Sequence, residues 1–266
     1  MAARTPKQRI ITLTTDFGLT DHFVGVMKGV ILGICPDARI VDISHEVTPF
    51  EISQGAFLAA QAHRYFPAKT IHLVVVDPGV GTARRPILVE AAGQYFIGPD
   101  NGVLAMVYMD AEHKAREITA EKYFLQPQSR TFHGRDIFAP VAAHLARGLR
   151  PATFGPVIQD HLKIAFYKPQ RTARRAWSGT VLHVDRFGNM VTNFHIDEFT
   201  DVRTRPFEMT IGPQRLRRLA LNYADSEPGE PFVIVGSSGY LEIAANQASA
   251  AKLLGCGPGA PADLSF

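Results

Sequence analysis

Residues 70–76 read TIHLVVV, an almost continuous run of apolar side chains that ends immediately before Asp77. A strand without regular polar alternation is typical of a parallel sheet that is covered on both faces. The order strand–helix–strand–helix–strand predicts an α/β N-terminal domain with a central, mainly parallel sheet. Before this run, hydrophobic periodicity predicts strands over 10–15 and 39–43 and helices over 21–34 and 51–66.

The chain changes character in its second half. After a predicted hairpin at 86–91 and 94–97 and a helix over 137–147, proline and glycine interrupt residues 150–170, which is typical of a linker. We expect an N-terminal domain over residues 1–165 and a smaller, mostly β C-terminal domain over 166–266. The strands predicted for the second domain are 178–184, 189–194, 206–211, 231–236 and 239–244, followed by one brief helix near 246–254.

The composition excludes a disordered chain, since 46% of the 266 residues are hydrophobic and 20% are charged. Two isolated cysteines, Cys35 and Cys256, indicate a reducing compartment. No signal-like apolar region follows the polar N-terminus, and no apolar stretch is long enough to cross a bilayer. We therefore expect a cytoplasmic protein without membrane contact.

Arginine clusters raise the question of nucleic-acid binding, although the formal net charge of +3 is mild. The clusters lack the interleaved aromatic side chains on which bases stack. A solvated face or a subunit contact is the favoured interpretation, and no nucleic-acid partner is expected. The clusters comprise Arg171, Arg174 and Arg175, and then Arg215, Arg217 and Arg218.

Polar segments follow two of the predicted parallel strands, where open α/β sheets bind ligands. Asp16, in TTDFG, either accepts hydrogen bonds from a ligand or forms an Asx-turn or helix N-cap. The segment VDPGVGTARR matches neither a P-loop nor a dinucleotide fingerprint. Its glycine turn brings Asp77 and Arg84 over one site, either as functional groups or as a structural ion pair.

His133, in TFHGRDIF, is a candidate proton carrier, although a lone histidine is more often structural. The sequence contains no H-x-x-x-H or C-x-x-C spacing. We therefore expect no metal site.

Two turns of the second domain carry further candidates. Asp185 and Asn189 lie in DRFGN, between two predicted strands, with plain turn chemistry as the alternative. In GSSGYLE, Ser237 and Ser238 can bind a carboxylate or simply form a hairpin loop. The spacing is wrong for the nucleophile elbow of a hydrolase.

Taken in order, these segments resemble the S-adenosyl-L-methionine hydroxide adenosyltransferase family, which is related to fluorinase and chlorinase. The resemblance runs from about residue 10 to residue 254. It implies a homotrimer in which the ligand lies between the N-terminal domain of one subunit and the C-terminal domain of the next. The segments that carry it are TTDFG, VDPGVGTARR, FIGPDNG, TFHGRDIFAP, DRFGN and GSSGYLEIAANQASA.

The resemblance also implies roles for individual residues. Asp77, Arg84 and His133 correspond to the water-handling triad of the hydrolases, and Asp16 to the acceptor of the ribose hydroxyls. In the second domain, Asn189 corresponds to an adenine contact and Asp185 to a contact with the methionine amino group. Ser237 and Ser238 correspond to contacts with the methionine carboxylate, and Tyr240 and Glu242 are near the site by position.

The implied reaction is hydrolysis of S-adenosyl-L-methionine to adenosine and L-methionine by water at the ribose 5′ carbon, with no cofactor. Halide transfer is the main alternative. The halogenases lack the Asp/Arg/His set as a whole, and the fluorinase carries an extra loop after the VDPGVG region that is absent here. A second alternative is a sensor that binds adenosine or S-adenosyl-L-methionine without turnover, but a sensor has no need of an arginine that polarises water.

Overall fold

The computed structural model describes residues 9–108, 111–164 and 167–266. The chain divides into two units, Met1–Ile164 and Ala165–Phe266. The predicted domain boundary between residues 165 and 166 lies outside the described residues.

The first unit contains a sheet of seven strands within the described residues, in the order β2-β1-β3-β5-β4-β6-β7. The pairs β1–β2, β1–β3 and β3–β5 are parallel, and every residue of β3 is buried. The strands are β1 (Ile10–Thr15), β2 (Arg39–Ser44), β3 (Ile71–Val75), β4 (Pro86–Ala91), β5 (Gln94–Pro99), β6 (His113–Glu117) and β7 (Val157–Ile158).

An antiparallel extension begins at the β4–β5 hairpin. Ala92 and Gly93 form its turn with φ of 51° and 71°, the left-handed conformation that two-residue hairpin turns require. The strands β6 and β7 continue from β4 in antiparallel pairing. The predicted hairpin is confirmed, and it places the antiparallel half of the sheet beside the parallel half.

Helices cover the sheet and close the core of the first unit. The helices α1 and α4 pack against each other and against the parallel strands, and Leu73, Met27 and Phe138 are fully buried between them. The helices are α1 (Phe23–Ile34), α2 (Ile52–Ala62), α3 (Ala105–Tyr108) and α4 (Ala139–Ala146). One turn of π-helix, Gly134–Phe138, leads directly into α4.

The second unit is mostly β, as predicted. Its described strands form a nine-stranded sheet in the order β12-β11-β16-β9-β10-β15-β14-β13, with β8 paired to β9. The strands are β8 (Gln170–Ala173), β9 (Ala176–Val184), β10 (Met190–His195), β11 (Glu208–Ile211), β12 (Gln214–Leu216), β13 (Leu219–Ala220), β14 (Pro231–Val235), β15 (Tyr240–Ala245) and β16 (Pro261–Ser265). The one α-helix among the described residues of this unit is α5 (Ala250–Leu254).

The fold class expected from the sequence is therefore confirmed: an α/β N-terminal unit whose sheet includes parallel strands, and a β-rich C-terminal unit. Four strands of the second unit were not predicted, namely β8, β12, β13 and β16. β13 has only two residues, and β8 is exposed along its whole length, so neither presents the alternating pattern of a half-buried strand. Over the described residues, no helix is long and apolar enough to cross a membrane.

Candidate active site

The site of the first unit lies at the carboxyl ends of β1 and β3. Thr15 pairs with Val75 in parallel register, so Asp16 and Asp77 emerge at the same edge of the sheet. The chain turns from β1 to β2 on one side and then crosses to β3 on the other. Such a switch point leaves a crevice, which is where open α/β sheets bind ligands.

A tight turn returns Arg84 to Asp77. Val80 N–H donates to the Asp77 carbonyl at 3.2 Å, and Thr82 N–H donates to the Gly79 carbonyl at 3.2 Å. Gly81 has φ of +77°, and a Cβ there would collide with the carbonyl oxygen of Arg130. Glycine is therefore required at this position.

The Asp77–Arg84 pair is bidentate and buried. Arg84 Nε donates to Asp77 Oδ1 at 3.0 Å, and Nη2 donates to Oδ2. The side chains are only 5% and 8% exposed. Two parallel charge-assisted hydrogen bonds fix the guanidinium plane relative to the carboxylate.

His133 completes this cluster. Its Nδ1 lies 2.8 Å from Arg84 Nη2, and its Nε2 lies 3.3 Å from the side-chain amide of Gln128. The ring sits at the start of the π-helical turn, where the backbone is held by buried Asp136. The Asp136 carboxylate accepts from Ser129 N–H at 2.8 Å and from the Arg135 guanidinium.

The electrostatics of the cluster favour a neutral imidazole. Burial lowers the pKa of His133, and the positive charge of Arg84 lowers it further, against the opposing effects of Asp77 and Asp136. The pKa of Asp16 is raised, mainly by burial, with a smaller contribution from the negative charge of Asp77. Asp16 is thus close enough to the cluster to interact with it.

A cavity of about 110 Å³ opens beside the cluster. Its lining combines Asp77 and His133 with aromatic rings, so a polar molecule inside would meet a carboxylate and an imidazole in a largely apolar enclosure. Arg84 Nη1 is buried and has no hydrogen-bond partner among the described residues. The lining residues are Phe17, Phe23, Val75, Asp77, Val80, Thr131, Phe132, His133 and Gly134.

Phe50 is a neighbour of the site that the sequence did not predict. Its backbone N–H donates to Asp16 Oδ2 at 3.0 Å, its φ is +71°, and its ring is 70% exposed. A left-handed backbone is rare for an aromatic residue. No sequence motif marks this position, and its contact with Asp16 joins residues 34 positions apart.

In the second unit, Asp185 organises the turn between β9 and β10. Its Oδ1 accepts from the N–H groups of Phe187 and Asn189, and its Oδ2 accepts from Asn189 Nδ2 at 2.8 Å. The turn chemistry considered from the sequence is therefore present. Asn189 is buried, and both residues line a cavity of about 670 Å³ together with Tyr223 and the segment Ala245–Ser249.

The remaining candidates lie on β15 and in the turn before it. Ser237 and Ser238 occupy the β14–β15 turn and make no side-chain hydrogen bond to the described residues. The Tyr240 ring packs edge-on against His195, with centroids 4.9 Å apart. These residues do not line the cavity that contains Asp185.

Glu242 connects the two turns of the second unit. Burial, and then the nearby charge of Asp185, raise the pKa of Glu242 to about 7. Its carboxylate lies against Gly236, where any Cβ would overlap it. Glu242 thus lies close to Asp185 on one side and to the serine turn on the other.

Across residues 9–108, 111–164 and 167–266, no group of three or more His, Cys, Asp or Glu side chains is arranged to hold a metal ion. The polar cluster in the first unit is an ion pair joined to a histidine.

The two units correspond to the two domains of one protein family. Residues 11–155 match the SAM hydroxide adenosyltransferase N-terminal domain, and residues 179–263 match the SAM hydroxide adenosyltransferase C-terminal domain. The chain belongs to the SAM hydroxide adenosyltransferase family.

Named relatives and a solved structure agree with this assignment. The chain is 39% identical over 253 residues to the (R)-S-adenosyl-L-methionine hydrolase of Salinispora tropica, covering 94% of this chain and 95% of the relative. It is 30% identical over 279 residues to a fluorinase of an Actinoplanes species, covering 90% of this chain and 91% of the fluorinase. The crystal structure of a conserved protein from Thermotoga maritima superposes with a TM-score of 0.88 at 38% identity, covering 96% of this chain and all of that one.

The environment of His133 makes a direct prediction. We expect the pKa of His133 in the ligand-free protein to lie below the ordinary value of 6.5. Arg84→Gln should raise it, because removing the neighbouring cation favours the imidazolium. An NMR titration of the His133 ring protons measures both values.

Arg130→Gln, which changes an exposed cation of the same region, is the control and should leave the pKa of His133 unchanged. A wild-type value at or above 6.5, or no response to Arg84→Gln, contradicts this electrostatic account.

Proposed function

We propose that this protein hydrolyses S-adenosyl-L-methionine to adenosine and L-methionine, by attack of water on the ribose 5′ carbon. The observation that carries the proposal is the buried Asp77–Arg84–His133 cluster beside a small cavity lined by Asp77 and His133. Asp77 and His133 line this cavity, so a water molecule inside it would meet both side chains.

The comparisons support water rather than halide as the nucleophile. The hydrolase alignment extends over 253 positions and covers 94% of the chain, so it needs almost no insertions. The fluorinase alignment extends over 279 positions but covers only 90%, so the fluorinase has additional segments. After Arg84 this chain passes directly into the β4–β5 hairpin and has no extra loop there.

The reaction is a single displacement. The water oxygen bonds to C5′ while the C5′–S bond breaks, and the bonding pair leaves on sulfur to give the neutral thioether of methionine. One proton of the water is released. Because the positive charge of the sulfonium is lost on the way to products, a water-poor site favours the transition state over the ground state.

The first unit supplies the groups around the reacting atoms. Arg84 orients the water and stabilises its developing hydroxide character, and Asp77 holds both Arg84 and the water. Asp16 accepts hydrogen bonds from the ribose hydroxyls. In the free protein it accepts from Phe50 N–H, and its pKa is raised by burial, so hydroxyl donors would stabilise its ionised form.

The second unit supplies the groups for the rest of the ligand. Asn189 contacts the adenine at the 670 Å³ cavity, which falls within the size range of small-molecule sites. Asp185 binds the methionine ammonium through Oδ2, which accepts only one hydrogen bond in the free protein. Glu242, whose pKa is raised to about 7, would ionise more readily beside that cation. Ser237 and Ser238 bind the carboxylate, and Tyr240 borders them.

A product assay tests this function. We expect adenosine and methionine in equal amounts from S-adenosyl-L-methionine supplied as both sulfonium epimers. In ¹⁸O-water the label should enter the 5′ hydroxyl of adenosine, because water attacks C5′. Chelator should not reduce the rate, and chloride should not create a new product. Chromatography with mass detection measures all four results, with an enzyme-free incubation as the control.

Each alternative gives a different result in that assay. A halogenated nucleoside that depends on halide would identify a halogenase. Tight binding of S-adenosyl-L-methionine with no product would identify a sensor. Loss of activity with chelator and recovery with a divalent ion would contradict metal-independent chemistry.

We further propose that the protein is a cytoplasmic homotrimer whose sites combine the N-terminal unit of one subunit with the C-terminal unit of the next. The family resemblance suggests this arrangement. It is also supported by the division of the candidate groups, since Asp77, Arg84 and His133 belong to one unit and Asp185 and Asn189 to the other.

Subunit mixing tests the shared site. Co-expression of a His133→Ala chain with an Asp185→Ala, Ser238→Ala chain should restore part of the activity that each variant lacks alone, because some interfaces then combine two intact halves. Native mass spectrometry of differently tagged chains verifies that mixed trimers form. Confirmed mixed trimers without recovered activity would mean that each site is built within one chain.

A further inference from the structure

The hydrogen bonds of His133 determine which ring nitrogen carries the proton. Arg84 Nη2 lies 2.8 Å from His133 Nδ1, and a guanidinium only donates hydrogen bonds. Nδ1 must therefore be the unprotonated, accepting nitrogen. In a neutral imidazole the proton then resides on Nε2.

Gln128 is the side chain that faces this Nε2–H. In the structure its amide nitrogen, Nε2, lies 3.3 Å from His133 Nε2, and two N–H donors cannot bond each other. A 180° rotation of the amide exchanges its oxygen and nitrogen, and the oxygen is the end that a protonated Nε2 requires. Both ring nitrogens are then engaged, and the ring has no lone pair left to accept a proton from water.

The segment that carries Gln128 is held in place by the backbone around His133. Leu125 N–H donates to the Asp136 carbonyl at 2.8 Å, and Ser129 N–H donates to the Asp136 carboxylate at 2.8 Å. Asp136 is fully buried. Gln128 therefore approaches the ring from an anchored loop, although its own side chain is exposed.

The acceptor that remains in the cavity is Asp77. A carboxylate offers about four lone-pair positions, and Arg84 occupies one on each oxygen. Asp77 lines the 110 Å³ cavity. A water there can donate to one of the lone pairs of Asp77 that Arg84 leaves free.

We propose that Gln128 is a positioning residue that holds His133 as the Nε2-protonated tautomer, that His133 serves as a hydrogen-bond acceptor orienting Arg84, and that Asp77 is the proton acceptor. This assignment rests on the proposed hydrolysis. As the water oxygen bonds to C5′ and the C5′–S pair leaves on sulfur, one water proton passes to the Asp77 carboxylate and then to solvent.

The tautomer is measured by ¹⁵N NMR of the histidine rings in the ligand-free, full-length protein. Above the His133 pKa we expect a protonated Nε2 and an unprotonated Nδ1. Gln128→Leu should shift the Nε2 signal and speed exchange of its proton, because the acceptor is lost. Gln159→Leu, a change at another exposed glutamine of the first unit, should leave both unchanged. The proposed tautomer and the role of Gln128 are overturned if the proton is on Nδ1, or if Gln128→Leu leaves the His133 Nε2 signal and its proton exchange unchanged.

Two substitutions of His133 distinguish a ring that accepts a hydrogen bond from Arg84 from a ring that takes a proton from water. The oxygen of Asn can take the position of Nδ1 and accept from Arg84, but it cannot carry away a proton, whereas Leu does neither. We expect kcat of His133→Asn to stay within about tenfold of wild type, and His133→Leu to fall well below it. Asp77→Asn should lose about 100-fold or more, as expected for removal of a general base. Thermal melting verifies that each variant is folded.

Two results would overturn the proposal. His133→Asn losing as much as His133→Leu would make the ring the proton acceptor, and near-normal turnover by Asp77→Asn would exclude Asp77. The tautomer measurement needs no substrate, so it separates this proposal from the proposed function. Adenosine formation with an Nδ1-protonated ring overturns the role assignment alone, while an Nε2-protonated ring without adenosine formation overturns the hydrolysis.

Discussion

The buried ion pair between Asp77 and Arg84 is the interaction on which the proposed chemistry depends. Taking two charges out of water is costly, and their attraction offsets the cost only when the geometry is good and the other hydrogen-bonding groups find partners. Here the pair is bidentate and His133 accepts a further Arg84 hydrogen. The two Nη1 hydrogens of Arg84 are buried and have no acceptor among the described residues. We infer that the pair is maintained for chemistry rather than for stability.

The parallel sheet makes this pair possible. The strand β3 is buried along its whole length and ends beside β1, so Asp16 and Asp77 leave the sheet at one edge. The glycine turn then reverses the chain over a few residues, with Gly81 in a conformation and a space that exclude a side chain. His133 arrives from a distant part of the chain, at the start of the π-helical turn before α4. The fold thus assembles three sequence segments at one crevice.

Much of this arrangement could be predicted from the sequence, because it follows local patterns. The buried run 70–76 marked the parallel strand, and the glycines after Asp77 marked the turn that brings back Arg84. The contributions of Gln128 and Phe50 were not predictable, since both depend on tertiary contacts that leave no periodic or motif signal. For Asp185 the turn was predicted from the sequence, but the sequence alone could not separate a structural role from ligand binding. In the structure its Oδ1 accepts two backbone hydrogen bonds within the turn. Short strands such as β13 escape prediction because two residues carry no periodicity.

The most direct test of this account compares turnover and binding in Arg84→Ala, with circular dichroism to verify that the variant is folded. If Arg84 acts on the attacking water, kcat should fall by about 100-fold or more, while the Kd for S-adenosyl-L-methionine measured by calorimetry stays within a few-fold of wild type. An unchanged kcat with lost binding would place Arg84 on the substrate instead and would contradict the central claim.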